Sequence, residues 1–148
     1  MAKTTKKSKD LVSLEPQKDQ FMGFWFQDSI EFVPGSTLNV KIKDFLHRRR
    51  SKFQDIWVVE TQGLGRMLVI DGVAMLTDFD EFAYHEMISH VPLLVHPKPS
   101  RVLVIGGGDG GVVREVLKHP EVESVHLCEI DEDVVIVCLE YLPSQSSS

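Results

Sequence analysis

The sequence predicts an α/β protein: a small N-terminal antiparallel β-domain followed by the first half of a parallel, nucleotide-binding α/β domain. Three observations carry that reading. Strand-period alternation and hairpin turns fill residues 37–77, and the apolar period becomes helical from Glu81. The stretch Arg101 to Asp131, RVLVIGGGDGGVVREVLKHPEVESVHLCEID, then reads as strand, glycine-rich turn, helix, strand and acidic tip. The 148 residues are 43% hydrophobic and 26% charged, a globular balance and enough for one ordinary domain.

Taken in order, Met1 to Asp10 carries lysines at 3, 6, 7 and 9 without the apolar core of a secretory signal, so residues 1–20 are expected to be a flexible basic tail. Phe21 to Trp25, FMGFW, is expected to pack on a neighbour. After the Pro34-Gly35 turn, Leu38, Val40 and Ile42 alternate with Asn39, Lys41 and Lys43, the pattern of a half-buried strand. HRRR at 47–50 reads as a solvated connector. Gln54 to Thr61 is a second strand, Gly63-Leu64-Gly65 turns the chain into Met67 to Ile70, and Asp71-Gly72 turns it again into Val73 to Thr77. From Glu81, Phe82, His85, Met87, Ile88, Val91 and Leu94 or Val95 form an apolar helical stripe interrupted at Pro92, and Pro97-Lys98-Pro99 ends it.

Val102 to Ile105 is a continuous apolar run suited to a parallel strand covered on both faces. Gly106, Gly108 and Gly111 follow it as G-x-G-x-x-G, whose missing side chains permit a tight turn, close approach to a ligand and close helix-to-strand packing. The helix expected over Val112 to His119 stops at Pro120. Ser124 to Cys128 is the second parallel strand, and Glu129 lies at its end, where a carboxylate accepts both hydroxyls of a ribose. Domains are therefore expected at 21–96, the β-domain with its connecting helix, and at 97–148, an incomplete Rossmann-like nucleotide-binding domain.

The net charge of −6 gives no electrostatic reason to expect nucleic acid or an anionic membrane as partner, and no apolar window reaches a membrane span. Cys128 and Cys138 lack metal-ligand spacing and read as buried thiols in a reducing, cytoplasmic setting.

Asp71-Gly72, Asp80-Glu81-Phe82, Tyr84-His85-Glu86, GGGDGG at 106–111 and CEIDEDVV at 128–135 stand in this order. Together they resemble the spermidine synthases, the polyamine aminopropyltransferases, from about Gly23 to Pro143. The resemblance implies a β-domain before a Rossmann-like domain of methyltransferase type. It also implies decarboxylated S-adenosylmethionine as aminopropyl donor and co-substrate, putrescine as acceptor, no resident cofactor or metal, and a homodimer. It places Gln54 near the donor's sugar, His85 in the donor pocket, and Gly106, Gly107, Gly108 and Gly110 in the loop around the donor. Asp109 falls at its aminopropyl end, Glu129 at its ribose and Tyr84 in the acceptor site. The chain departs from the pattern at Met75, where many relatives carry Gln, and at Thr77-Asp78-Phe79, which replaces a T-E-R-like stretch.

Ordinary methyltransferases usually carry an acidic residue two before the first glycine; here that position is Val104 and the acid is Asp109, inside the loop. A donor without its carboxylate presents a bare ammonium, which Asp109 attracts, whereas the intact donor's carboxylate is repelled. The family's catalytic base, adenine-contacting pair and second acceptor-site Tyr belong to a downstream segment with no counterpart in these 148 residues. The expectation is thus a truncated chain, inactive alone, with an open edge on its parallel sheet and an α-helix over residues 134–142 deprived of the sheet it should cover. Putrescine N-methyltransferase, an NAD-dependent oxidoreductase and a non-catalytic form paired with a full-length subunit are the other readings.

Overall fold

The computed structural model describes residues 18–19, 23–31 and 33–146; the lysines at 3, 6, 7 and 9, the start of the aromatic run at Phe21 and Met22, and Ser147 and Ser148 lie outside them. The described elements are β1 (Lys18–Asp19), β2 (Gly23–Gln27), β3 (Asn39–Arg50), β4 (Asp55–Thr61), β5 (Arg66–Ile70), β6 (Val73–Thr77), α1 (Glu81–Val95), β7 (Arg101–Ile105), α2 (Gly111–Val116), β8 (Ser124–Cys128), α3 (Glu132–Tyr141) and α4 (Pro143–Ser146). β1 to β6 form a six-stranded antiparallel sheet in chain order, and β7 and β8 form a two-stranded parallel one.

β4 is apolar at successive positions because both of its faces are covered. Ile56 and Val58 join Leu68 and Leu76 on one face, while Trp57 and Val59 join Phe26, Val40, Ile42, Met67 and Val69 on the other. At the β5–β6 hairpin, Asp71 and Gly72 both take positive φ, +50° and +80°, as a two-residue turn of this twist requires.

The HRRR segment is not a connector. β3 continues through Arg50, pairing His47 with Val58, Arg48 with Trp57, Arg49 with Ile56 and Arg50 with Asp55. Partners remote in sequence draw it into the sheet: Arg48 meets Asp55 at 3.0 Å and covers the Trp57 ring at 4.7 Å, Arg49 meets Asp133 at 2.8 Å, and Arg50 meets Asp71 at 3.4 Å. Arginine stems lie along apolar neighbours while their heads reach carboxylates in water.

α3 also differs from expectation. Val134, Val137, Cys138 and Leu142 are buried against Ile56, Val58, Leu68 and Leu76, so one face of this helix covers the antiparallel sheet, while Ile136 and Leu139 on its other face are exposed. Burial of each Val or Leu contributes roughly 1.5 to 3 kcal/mol. The two regions share one core.

The parallel pair is barer than its apolar sequence predicts. α1 packs on α2, and α3 packs on the larger sheet, which leaves Leu103 62% and Ile105 81% exposed; of β7 only Val104 is buried. Among the described residues β7 has β8 as its one strand partner, so its other edge is unpaired. The expected stripe of α1 is likewise displaced: Phe82, Met87, Ile88, Val91, Leu94 and Val95 are exposed, and the buried line is His85, Ser89 and Leu93, four residues apart. That line faces α2, where close approach favours small and polar side chains over bulky ones. Cys128 is exposed, not buried; Cys138 is buried, and burial with nearby Asp109 and Glu129 pushes its thiol up to about 12. α2 ends at Val116, short of His119, because the amides of Lys118 and His119 turn back onto the carbonyls of Glu115 and Val116. Among the described residues no helix is long and apolar enough to cross a membrane, and no group of three or more His, Cys, Asp and Glu is placed to hold a metal ion.

Candidate functional site

β7 delivers the chain into the glycine loop, and the Gly106 amide donates to the Cys128 carbonyl at 2.9 Å, extending the parallel ladder by one bond. Gly106, Gly107 and Gly110 then take φ of +78°, +73° and +86°, left-handed values that side chains resist. Gly108 is closely surrounded: a Cβ there would stand 3.0 Å from the Glu129 side chain and from Val134, which would have to give way by a few tenths of an ångström. Its amide donates to Glu129 Oε2 at 3.0 Å, while Glu129 Oε1 accepts the Asp131 amide at 3.1 Å. The carboxylate expected at the ribose is therefore fixed against the loop by two backbone donors.

Gln54 closes the corner between β3 and β4, and its Nε2 donates to Asp131 Oδ2 at 2.9 Å. The same oxygen accepts from Ser51 Oγ at 2.6 Å. Asp131 thereby gathers Gln54, Glu129 and Gly108 at the ends of β7 and β8. Neither Asp131 nor Ser51 was singled out from the sequence. The available signal was Asp131 immediately before an apolar helical run, the place of an N-cap, and its Oδ1 does accept the Asp133 amide at 3.1 Å.

At the other end of the loop, Asp109 Oδ1 accepts the Gly111 amide at 2.8 Å and faces His85 Nε2 at 3.1 Å. His85 Nδ1 faces Glu81, so both ring nitrogens point at carboxylates, which favours the charged form of the ring. Burial opposes charge on His85, but the hydrogen bonds to Asp109 and Glu81 outweigh it and raise the ring above its ordinary 6.5. Burial likewise opposes charge on Asp109, and the bonds from His85 and the Gly111 amide outweigh it, holding that carboxyl below 3.8. Glu81 is lowered too, because Arg114 at 2.9 Å and His85 overcome its burial. In the sequence Asp109 stands as a lone charge; the structure sets the His85 ring beside it at 3.1 Å.

Gly111 explains how His85 reaches that position. A Cβ at residue 111 would lie 2.3 Å from the His85 ring, so the third glycine of the motif admits helix α1 and not a strand, correcting the expected helix-to-strand role. Tyr84, largely exposed, stands edge-on to His85 at 5.6 Å. Tyr84, His85, Gly107, Asp109 and Met75 line a cleft of about 660 Å³ along β7. A smaller hollow of about 320 Å³ shares Met75, Tyr84 and His85 and adds Asp28, Asp80 and Glu81. The predicted residues thus fall into two groups, Gln54, Gly108 and Glu129 beneath the loop, and Tyr84, His85 and Asp109 along the cleft. The first group suits a polyol; in the second, the Asp109 carboxylate is shared with the His85 ring at 3.1 Å.

Residues 24–78 match the family model described as the spermidine synthase tetramerisation domain, and residues 81–148 match the spermine/spermidine synthase domain. The spermidine synthase of Dictyostelium discoideum is 50% identical over 126 residues, 85% of this chain and 44% of that protein. The polyamine aminopropyltransferase of Clostridium tetani is 48% identical over 127 residues, 86% of this chain and 44% of that protein. The crystal structure of Thermotoga maritima spermidine synthase aligns with a TM-score of 0.79 at 40% identity, covering 91% of this chain and 47% of that one. A spermidine synthase in complex with the transition-state analogue AdoDATO aligns equally well, TM-score 0.79 at 40% identity, over 91% of this chain and 45% of that one. The chain spans less than half the length of these relatives.

Proposed function

This chain belongs to the spermine/spermidine synthase family, and from that premise we propose that it forms the donor-binding part of an aminopropyltransferase that converts putrescine to spermidine. The observation that carries the reading is the two-ended loop: Glu129, clamped to Gly108 and tied through Asp131 to Gln54, offers acceptor oxygens to a ribose, and Asp109 at the other end offers negative charge to an aminopropyl ammonium. Gly106, Gly107 and Gly110 keep the loop backbone free of side chains where the donor would lie. The donor, decarboxylated S-adenosylmethionine, is a co-substrate, and no resident cofactor is needed because its sulfonium already activates the carbon under attack.

The putrescine nitrogen forms a bond to the carbon beside sulfur, the carbon–sulfur bond breaks, and its electron pair stays on sulfur as 5′-methylthioadenosine departs. Alignment and removal of one proton from the amine are what the protein must supply. Tyr84 lies between the cleft and the hollow lined by Asp28, Asp80 and Glu81; Arg114 and His85 already pair Glu81, so Asp28 and Asp80 are the carboxylates that favour a cationic diamine there. The base itself, by the family pattern, belongs to the part of the relatives that this chain does not span, so the 148 residues alone are expected to bind weakly and not turn over. The relatives named above favour this reading over putrescine N-methyltransferase. Self-association through the β-domain and a cytoplasmic setting complete the proposal, the first supported by the description of the model matched at residues 24–78.

The test is a fusion of residues 1–143 to the part of the Dictyostelium discoideum spermidine synthase beyond its match with this chain. Mass spectrometry should detect spermidine from decarboxylated donor and putrescine with the fusion and none with the 148-residue chain. A folded fusion that makes N-methylputrescine from intact S-adenosylmethionine, or no product from either donor, overturns the proposal.

A further inference from the structure

We propose that Asp131 is a positioning residue of the donor site: without touching the donor it sets the two groups that meet the ribose, Gln54 from the antiparallel sheet and Glu129 from the parallel one. The inference rests on the reading of Glu129 as the diol ligand. Asp131 is 2% exposed, and five hydrogen bonds engage it, one of them from the Val134 amide to its carbonyl at 3.1 Å. Oδ2 accepts from Ser51 Oγ at 2.6 Å and from Gln54 Nε2 at 2.9 Å, Oδ1 accepts the Asp133 amide at 3.1 Å, and its own amide donates to Glu129 Oε1 at 3.1 Å.

Each of these contacts fixes something different. The Asp133 bond caps α3, which any good N-cap would do. The bond to Gln54 joins residues 77 apart in sequence and holds a long, otherwise rotatable amide in one rotamer. Because Nε2 is the donor, the Gln54 carbonyl oxygen is left as the atom available to a ligand hydroxyl. The Ser51 hydroxyl does a second service: besides donating to Asp131 it accepts the Phe53 and Gln54 amides, both at 3.0 Å, so the corner that carries Gln54 is built on the same carboxylate. The bond to Glu129 turns Oε1 toward α3 while Gly108 holds Oε2, which defines the plane of that carboxylate. A buried carboxylate with two strong donors on one oxygen is costly merely as a helix cap, since Ser or Thr would serve; it is economical as a tie between the two sheets.

Asp131→Asn isolates the tie from the cap, because Asn caps a helix as well as Asp does, whereas its NH2 group in place of Oδ2 would face the Gln54 NH2. The probes are 5′-methylthioadenosine and its 2′,3′-dideoxy analogue, titrated by calorimetry into the fusion protein described above. The parent should prefer the diol. D131N should bind 5′-methylthioadenosine about tenfold more weakly, the scale of one hydrogen bond to a charged group, with the dideoxy analogue nearly unaffected. Ser51→Ala, which leaves the cap untouched, should show a smaller loss confined to the same ligand. Equal losses on both ligands, or no loss on either, would mean that Asp131 only holds the fold and would overturn the inference. A parent with no preference for the diol would overturn it at its premise, the role of Glu129, and the two failures are distinguishable because the second appears before any substitution is made.

Discussion

β4 and β7 are both short, β-branched, apolar strands, yet Ile56, Val58 and Val59 are all but inaccessible while Leu103 and Ile105 face solvent. β4 lies between paired neighbours with a core on each face; β7 has one strand partner among the described residues and a cleft along it. What secures the region around β7 is polar: the Asp131 tie on one side, and on the other a ladder of alternating charges running from Asp109 through His85, Glu81 and Arg114 to Glu115. The antiparallel sheet is thus secured chiefly by hydrophobic burial, with arginine–carboxylate pairs at the end of β3, and the α1, α2 and loop region beside the parallel pair by charge, which responds to pH. The candidate site sits on the second kind of support.

The sharpest way to break that contrast is to attack the core the two regions share. Leu142 is fully buried on Ile56, Val58, Leu68 and Leu76 together with Val134 and Val137. Leu142→Ala should destabilise the chain by about 2 to 5 kcal/mol through lost transfer and the cavity left behind. Amide exchange in β4 and β5 and in α1 and α2 should accelerate together. Unchanged exchange in β4 would show that α3 is dispensable to the larger sheet and that the shared core is nominal.

This shared core also marks where the sequence stopped being legible. The strand pattern at 37–43, the strands from Gln54 to Thr77 and the glycine loop could be read directly, because period and turn chemistry are local. The spacing of Gly108 and Glu129 could be read as well, and the structure joins them at 3.0 Å. The partner of α3 could not be read, since an apolar helical face does not say which sheet it covers. Nor could the strand character of HRRR or the company of Asp109, which depend on Asp55, Asp71, Asp133, His85 and Arg114 arriving from elsewhere in the chain. Strand period and turn chemistry are local information; charge pairing, and the burial of α1 and β7, are not.

Gly111→Ala addresses the parallel region alone. The added Cβ would stand 2.3 Å from the His85 ring, and His85 is pinned by Glu81 and Asp109, so α2 must back away from α1. Overpacking of this kind costs about 1 to 3 kcal/mol. Exchange should accelerate in α1, α2 and the glycine loop, with β4 and β5 unmoved, and adenosine affinity should fall with it. An accelerated β4 would overturn the assignment of this contact to the parallel region alone.

The smallest expected effect, and the most specific, is on pH. His85 is raised above 6.5, so the stability it contributes is complete below about pH 6.5 and is lost as pH rises through its higher folded value. Asp109 and Glu81 are lowered from 3.8 and 4.5, so their contribution is complete above those values and is lost as pH falls through the lower folded ones. The α1–α2 contact should therefore be firmest between roughly pH 5 and 6.5 and loosen on the alkaline side, by about 1 kcal/mol if one charged hydrogen bond is at stake. The groups facing the ring are Glu81 on its own helix, Asp109 from the loop and the Tyr84 edge, with Arg114 behind Glu81; the ring is the group among these that changes charge first as pH rises from 6. Glu81→Gln removes one of its two carboxylate partners and should lower the ring's midpoint, shifting the alkaline loosening to lower pH. The measurement is the Nδ1 and Nε2 chemical shifts of His85 between pH 5 and 10 in parent and variant, alongside amide exchange of α1 corrected for its intrinsic pH dependence. A ring that titrates at its ordinary value in both proteins would remove buried charge as the support of the parallel region, and with it the contrast between the two sheets.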